Sequence, residues 1–181
     1  MRIISGKYKG KQIIAPKNMS VRPTTDFARE ALFNILNNNF DFEEIRVLDL
    51  FAGTGCISYE FGSRGCPFVR AVDINHKQIQ FIESTSARME FVNFRAIQSD
   101  AFKFLKNTTE KYDIIFADPP YDMDGFEKIP QLVFERQLLL EDGWLILEHG
   151  ERNSFADHER FKELRKYGQV HFSIFAENET K

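Results

Sequence analysis

Cysteine is almost missing from this chain. Cys56 and Cys66 are the two among 181 residues, and neither stands in a metal-ligand spacing, so they read as reduced, structural thiols and no metal is expected. No apolar run approaches the ~18 to 20 consecutive residues of a membrane span, and the amino terminus has no apolar signal core. These two absences lead to the expectation of a cytoplasmic protein without a membrane partner. No internal repeat, low-complexity tract or domain-sized linker divides the chain, and its length is short for two ordinary domains. We therefore expect a single domain over 1–181, with a basic hairpin and helix extension over 1–40 and a catalytic core over 41–181. The 19 phenylalanines are spread along the whole length, as core packing requires.

A strong charge of one sign is also lacking. The net charge is −3, which by itself speaks mildly against a nucleic-acid partner. Its distribution says otherwise. Residues 1–30 carry seven Lys or Arg against two acids, a balance of +5, and the remaining 151 residues carry 17 against 25, a balance of −8. A basic edge on an acidic body can meet phosphates. A solvated hairpin is the plainer alternative.

That edge begins with Arg2-Ile3-Ile4-Ser5 and Lys11-Gln12-Ile13-Ile14, two short strands around the loop Gly6-Lys7-Tyr8-Lys9-Gly10. Lys7, Lys9 and Lys11 around one tyrosine make a plausible contact surface for phosphates and bases. Next, Val21-Arg22-Pro23-Thr24-Thr25-Asp26 leads into a helical pattern through Ala28, Ala31, Leu32, Ile35 and Leu36, which Thr25 or Asp26 can cap.

From Ile45 onward strands and helices alternate. Strands are expected at about 46–51, 68–73, 92–97, 112–117, 143–148, 163–167 and 170–176, and helices at about 55–64, 76–90, 100–106, 125–138 and 154–161. Alternation of this kind implies an α/β fold: a parallel sheet with right-handed crossovers and helices on both faces. Only Gly168 and Gln169 separate the last two strands, which forces an antiparallel hairpin there. The expected fold is thus a Rossmann-like, mostly parallel seven-stranded sheet with an antiparallel carboxyl-terminal hairpin and a short amino-terminal β-hairpin.

Three strand ends carry acids. Val47-Leu48-Asp49-Leu50-Phe51-Ala52-Gly53-Thr54-Gly55 is a buried strand entering a glycine turn, where Gly53 and Gly55 let the backbone approach a ligand closely. Asp49 would repel a phosphate there but can pair with a cationic amino group, which favours an amino-acid-bearing nucleoside over a dinucleotide. Asp73, 24 residues later, suits the two hydroxyls of a ribose. Asp100 can accept from an adenine amino group, with Ala101 and Phe102 beside the base. Asp73 and Asp100 are equally good helix caps. A fourth strand, Tyr112-Asp113-Ile114-Ile115-Phe116-Ala117, stops at Asp118-Pro119-Pro120-Tyr121. Two prolines stiffen the backbone and leave carbonyls free, with a carboxylate at the base of the loop and an aromatic face at its tip. Such a loop is built to hold a flat group bearing an amine.

In this order these features resemble the Rossmann-like S-adenosylmethionine-dependent methyltransferases, whose Asp-Pro-Pro-Tyr loop marks the amino-group methylases. The segments Arg2 to Gly10, Arg22-Pro23-Thr24-Thr25-Asp26, Arg29-Glu30-Ala31-Leu32-Phe33-Asn34 and Asp49 to Gly55 look like the RsmD-type family of 16S ribosomal RNA guanine-N2 methyltransferases, over nearly the whole chain. The family often has a basic residue after Thr-Thr-Asp, where this chain has Phe27. The resemblance implies S-adenosylmethionine as cofactor, held by Thr25, Asp49, Phe51, Gly53, Gly55, Asp73, Ile74, Asp100, Ala101 and Asp118. It also implies catalysis by Asp118, Pro119, Pro120 and Tyr121. Lys7, Lys9, Lys11, Arg22 and Arg29 are the candidates for substrate phosphates, with the two arginines alternatively organising the cofactor pocket. The implied partner is 16S ribosomal RNA or an assembling small-subunit ribonucleoprotein, met by a monomer. An adenine-N6 methyltransferase and a non-catalytic cofactor-binding assembly factor are the alternatives.

Overall fold

A computed structural model of the chain describes residues 1–17, 19, 25–120 and 122–177. Seven strands, β1 (Arg46–Leu50), β2 (Phe68–Asp73), β3 (Phe94–Gln98), β4 (Tyr112–Ala117), β5 (Leu139–His149), β6 (Phe161–Tyr167) and β7 (Val170–Ala176), form one sheet in the order β3-β2-β1-β4-β5-β7-β6. The first five are parallel, and β7 runs antiparallel to both β5 and β6. The helices are α1 (Asp26–Asn37), α2 (Cys56–Ser63), α3 (His76–Arg88), α4 (Ala101–Asn107) and α5 (Ile129–Glu135). None of the described helices is long and apolar enough to cross a membrane.

Alternate residues of each central strand serve opposite layers. Val47, Val69, Ile114, Phe116 and Ile146 pack with Ala28, Leu32, Phe33 and Leu36 of α1 and with Ile57 and Phe61 of α2. Leu48, Leu50, Val72, Ile115, Leu145 and Leu147 face Leu105 of α4 and Val133 of α5. The period-two burial of a sheet covered on both faces thus sets which side chains at the strand ends point to which layer.

The amino-terminal hairpin is shorter than expected: a single antiparallel bridge joins Arg2 to Gln12. It is fastened through buried Glu60 of α2, which accepts from the backbone N–H groups of Ile4 and Ser5 at 3.0 to 3.2 Å. Gly6 lies so close to α2 that a Cβ there would come within 1.9 Å of the Ser63 carbonyl oxygen.

The helix expected over 154–161 is not formed. Phe155, His158 and Phe161 each turn inward onto the Phe175 ring, at centroid distances of 5.7, 5.2 and 6.1 Å. Successive turns from His158 N–H to Phe155 and from Phe161 N–H to His158 accommodate this three-residue repeat of aromatic anchors. The helix expected over 125–138 is a 3-10 turn, Phe126–Lys128, followed by the short α5, and β5 begins earlier than expected, at Leu139.

Candidate active site

Strands β1 and β4 are neighbours, yet the chain proceeds from β1 outward to β2 and β3 before returning through β4 to β5. The carboxyl ends of β1 and β4 therefore flank the topological switch point, where an open α/β sheet leaves a crevice. The glycine turn leaves one side of it and the Asp118 loop the other.

Phe51, Gly53 and Gly55 all have positive φ, of 60°, 56° and 84°. A Cβ at Gly55 would come within 2.7 Å of the Tyr59 ring and 3.0 Å of Ile82 Cγ1, so no side chain can stand there. Asp49 lies behind the turn with 2% of its surface exposed, and its carboxylate accepts from both the N–H and the hydroxyl of Ser58. Burial raises its pKa to about 7; the Ser58 bonds oppose the rise and the charge of Asp73 adds to it. Asp49 thus braces the turn from within.

Asp73 is the last residue of β2. At the end of β2, its carboxylate accepts from Gly53 N–H at 2.9 Å and from Asn75 N–H at 2.8 Å. With its amide nitrogen turned toward the acid, Gln78 of α3 donates to both oxygens. Burial raises the Asp73 pKa against the pull of these donors. The helix cap of α3 is Asn75, not Asp73, whereas Asp100 does cap α4, accepting from Lys103 N–H at 2.8 Å. Asp73 pairs with Gln98, and Ser99 N–H donates to the Asp73 carbonyl, so the ends of β2 and β3 and Asp100 share one rim. On that rim Ile74 is 68% exposed and offers an apolar surface, with Ala101 buried and Phe102 half-buried beyond it.

Asp118 follows Ala117 across the crevice, its N–H directed at the Leu50 carbonyl of β1 at 3.4 Å. Its carboxylate takes no side-chain hydrogen bond among the described residues. Pro119 is buried, Pro120 exposed, and Met123 N–H closes a turn onto the Pro120 carbonyl. Burial lifts the Asp118 pKa well above the usual carboxylate range, and the charges of Glu148 and Asp49 lift it further. Glu148 is a buried acid at the end of β5 that the sequence reading passed over, although an acid closing the apolar run Trp144-Leu145-Ile146-Leu147 repeats the signal used at the other strand ends.

The basic residues divide. Thr25 caps α1, its hydroxyl accepting from Ala28 N–H, and is exposed. Arg29 is completely buried, which removes it from the set available to phosphates and leaves the alternative role of organising the pocket. Its Nη2 donates to the Arg2 carbonyl at 2.7 Å and to Asp26 at 2.8 Å, while Nε and Nη1 have no partner among the described residues. Its charge also opposes the burial that lifts the Cys56 thiol to about 12, which keeps that cysteine a neutral thiol. Lys7, Lys9 and Lys11 are exposed, but the hairpin tip is fixed to Ser63 at the far end of α2 and to Met89 after α3. An eight-residue helix is about 12 Å long, so Lys7 and Lys9 stand roughly that far from the glycine turn and are not gathered with Asp118. Tyr8 is occupied: the Lys7 and Lys11 ammonium groups lie 5.1 and 5.0 Å from its ring centroid, Phe91 packs edge-on against it, and its hydroxyl donates to the Met89 carbonyl. Arg22 and Tyr121 lie outside the described residues.

The pocket fits S-adenosylmethionine. Gly53 and Gly55 leave the backbone of the turn open, and Asp73, Asp100 and Asp118 stand at or just beyond the carboxyl ends of β2, β3 and β4.

Comparison with known proteins agrees. The family model described as "Conserved hypothetical protein 95" matches residues 1–176. YlbH of Bacillus subtilis is 37% identical over 153 residues, 82% of each chain. Ribosomal RNA small subunit methyltransferase D of Escherichia coli K12 is 31% identical over 145 residues, 80% of this chain and 69% of that one. The solved structure of yhhF from Escherichia coli superposes with a TM-score of 0.85 at 26% identity, covering 97% of both chains. With its fold, its cofactor pocket and these relatives, the chain belongs to the Conserved hypothetical protein 95 family, the RsmD-type enzymes among the S-adenosylmethionine-dependent methyltransferases.

Proposed function

We propose that this enzyme methylates the exocyclic N2 of a guanine in 16S ribosomal RNA, acting as a monomer on an assembling small ribosomal subunit in the cytoplasm. The observation that carries the reading is the position of Asp118-Pro119-Pro120 at the end of β4, across the switch point from the glycine turn of β1. The name of the Escherichia coli relative supplies the target RNA.

When bound, S-adenosylmethionine supplies an electrophilic methyl group on a sulfonium, and Gly53, Gly55, Asp73, Ile74 and Asp100 are the residues that would hold it. The remaining work is positioning. A guanine amine is a poor nucleophile because its lone pair is delocalised into the ring. Asp118 accepts a hydrogen bond from one N2–H and the Pro119 carbonyl from the other, which favours a pyramidal nitrogen with its lone pair aimed at the methyl group. Tyr121 keeps the stacking role that its place in the motif implies. Orientation and fixed acceptors of this kind supply several kcal/mol each. The base must first leave its stack, at a cost of a few kcal/mol. Lys7, Lys9 and Lys11, a helix length from the turn, suit phosphates flanking the target rather than the target nucleotide itself.

Incubating the protein with methyl-labelled cofactor and small-subunit particles, followed by nucleoside analysis, tests the reading. N2-methylguanosine is the expected product; N6-methyladenosine would transfer the same chemistry to the adenine-directed alternative, and no labelled nucleoside would leave a cofactor-binding assembly factor.

A further inference from the structure

Three carboxylates meet on one face of the sheet at the crevice. Asp49 is registered with Phe116, and Ala117 with Leu147. Continued one residue beyond that last pair, this register sets Asp118 beside Glu148, on the same face as Phe116, Ile146 and Asp49. Glu148 is buried, so its charge acts through a medium that screens it poorly. The charged and titratable groups around Asp118 include Asp49 on β1, Glu148 on β5, Cys56 on α2 and, beyond the cysteine, Arg29 on α1. Cys56 is a neutral thiol, and among the described residues the Arg29 guanidinium donates to the Arg2 carbonyl and to Asp26. Glu148 stands first among the charges acting on Asp118.

We propose that Glu148 is a positioning residue for methyl transfer: its carboxylate, beside Asp118 on the adjoining strand, makes Asp118 the acceptor of the proton that N2 must lose. The proposal rests on the guanine-N2 reading above. In the step, the N2 lone pair forms the N–C bond as the S–C bond breaks and its electrons stay on sulfur. One N2–H proton then passes to the Asp118 carboxylate and from there to water. Positive charge grows on N2 as the N–C bond forms, and a more basic carboxylate hydrogen-bonded to N2–H stabilises it better; an anion next to Asp118 raises that basicity, because a like charge disfavours the ionised form. The same arrangement costs activity in acid, where Asp118 is already protonated.

The test uses the full chain without cofactor. Carboxyl-carbon NMR follows the titration of Asp118 in the native protein, in Glu148→Gln and in Glu148→Asp. Removing the neighbouring charge should lower the Asp118 midpoint by about one pH unit, and drawing the carboxylate back by one methylene in Glu148→Asp should give a smaller fall. In methyl-transfer assays the acid limb of Glu148→Gln should move down in parallel, and its plateau should fall several-fold because the acceptor is weaker. An unchanged or higher midpoint in a folded variant overturns the proposal. If Glu148→Gln does not fold, an unchanged midpoint in Glu148→Asp overturns it equally. A protein that leaves guanine N2 unmethylated refutes the functional reading instead, while the titration still reports on Glu148.

Discussion

The backbone N–H of Gly53 donates to the carboxylate of Asp73 at 2.9 Å, so the acid that ends β2 also holds the glycine turn that ends β1. Asp73 therefore shapes the turn, and on the proposed reading it also holds the cofactor's ribose. Asp73→Ala should weaken S-adenosylmethionine binding by about 100-fold, roughly two good charge-assisted hydrogen bonds. Asp73→Asn, which can still accept from Gly53, should lose less. Calorimetric titration checks both, and an unchanged affinity in the alanine variant would remove Asp73 from the pocket.

Asp49 gives the protein a stability that depends on pH in a defined direction. Its folded pKa, about 7, lies above the ordinary value, so the folded state holds a proton that the unfolded chain has already released. The stability it supports is complete below about pH 4 and declines as pH rises toward 7, by about 1.4 kcal/mol per pH unit at the steepest. The raised pKa values of Asp73 and Asp118 act in the same direction. Asp49→Asn keeps an acceptor for Ser58 N–H and should flatten this decline, leaving the variant more stable than the native protein at pH 8. Denaturant titrations at pH 5 and pH 8 measure it; a native protein that becomes more stable toward pH 8 would contradict the assignment.

The hairpin lysines should matter for RNA affinity and not for chemistry. Replacing Lys7, Lys9 and Lys11 together should reduce the dependence of log affinity on log salt by about two, from three lost phosphate contacts at roughly 0.7 each on single-stranded RNA. The rate at saturating RNA should stay, because the hairpin tip is anchored at the far end of α2 from the glycine turn. An unaltered slope would make the hairpin a purely structural edge.

The sequence made the sheet legible because buried strands announce themselves as short apolar runs and β1, β2 and β4 each end in or beside an acid. The two-residue link Gly168-Gln169 likewise left only one geometry for β6 and β7. The segment 154–161 was not legible, since the inward turn of Phe155, His158 and Phe161 depends on Phe175, which is close in space and remote in sequence. The same holds at the site. Arg29 belongs to a helix whose burial is set by the sheet beneath it, and a motif cannot distinguish a guanidinium facing RNA from one sealed inside. Glu148 becomes significant only once β5 is known to lie beside β4.

Asp118→Ala most directly tests the account. The variant should bind S-adenosylmethionine with near-native affinity, because Asp73 and the glycine turn are intact, and should lose at least about 100-fold in methyl transfer to guanine N2, measured by nucleoside analysis of 16S ribosomal RNA. Methyl transfer at the native rate by a folded Asp118→Ala protein would contradict it.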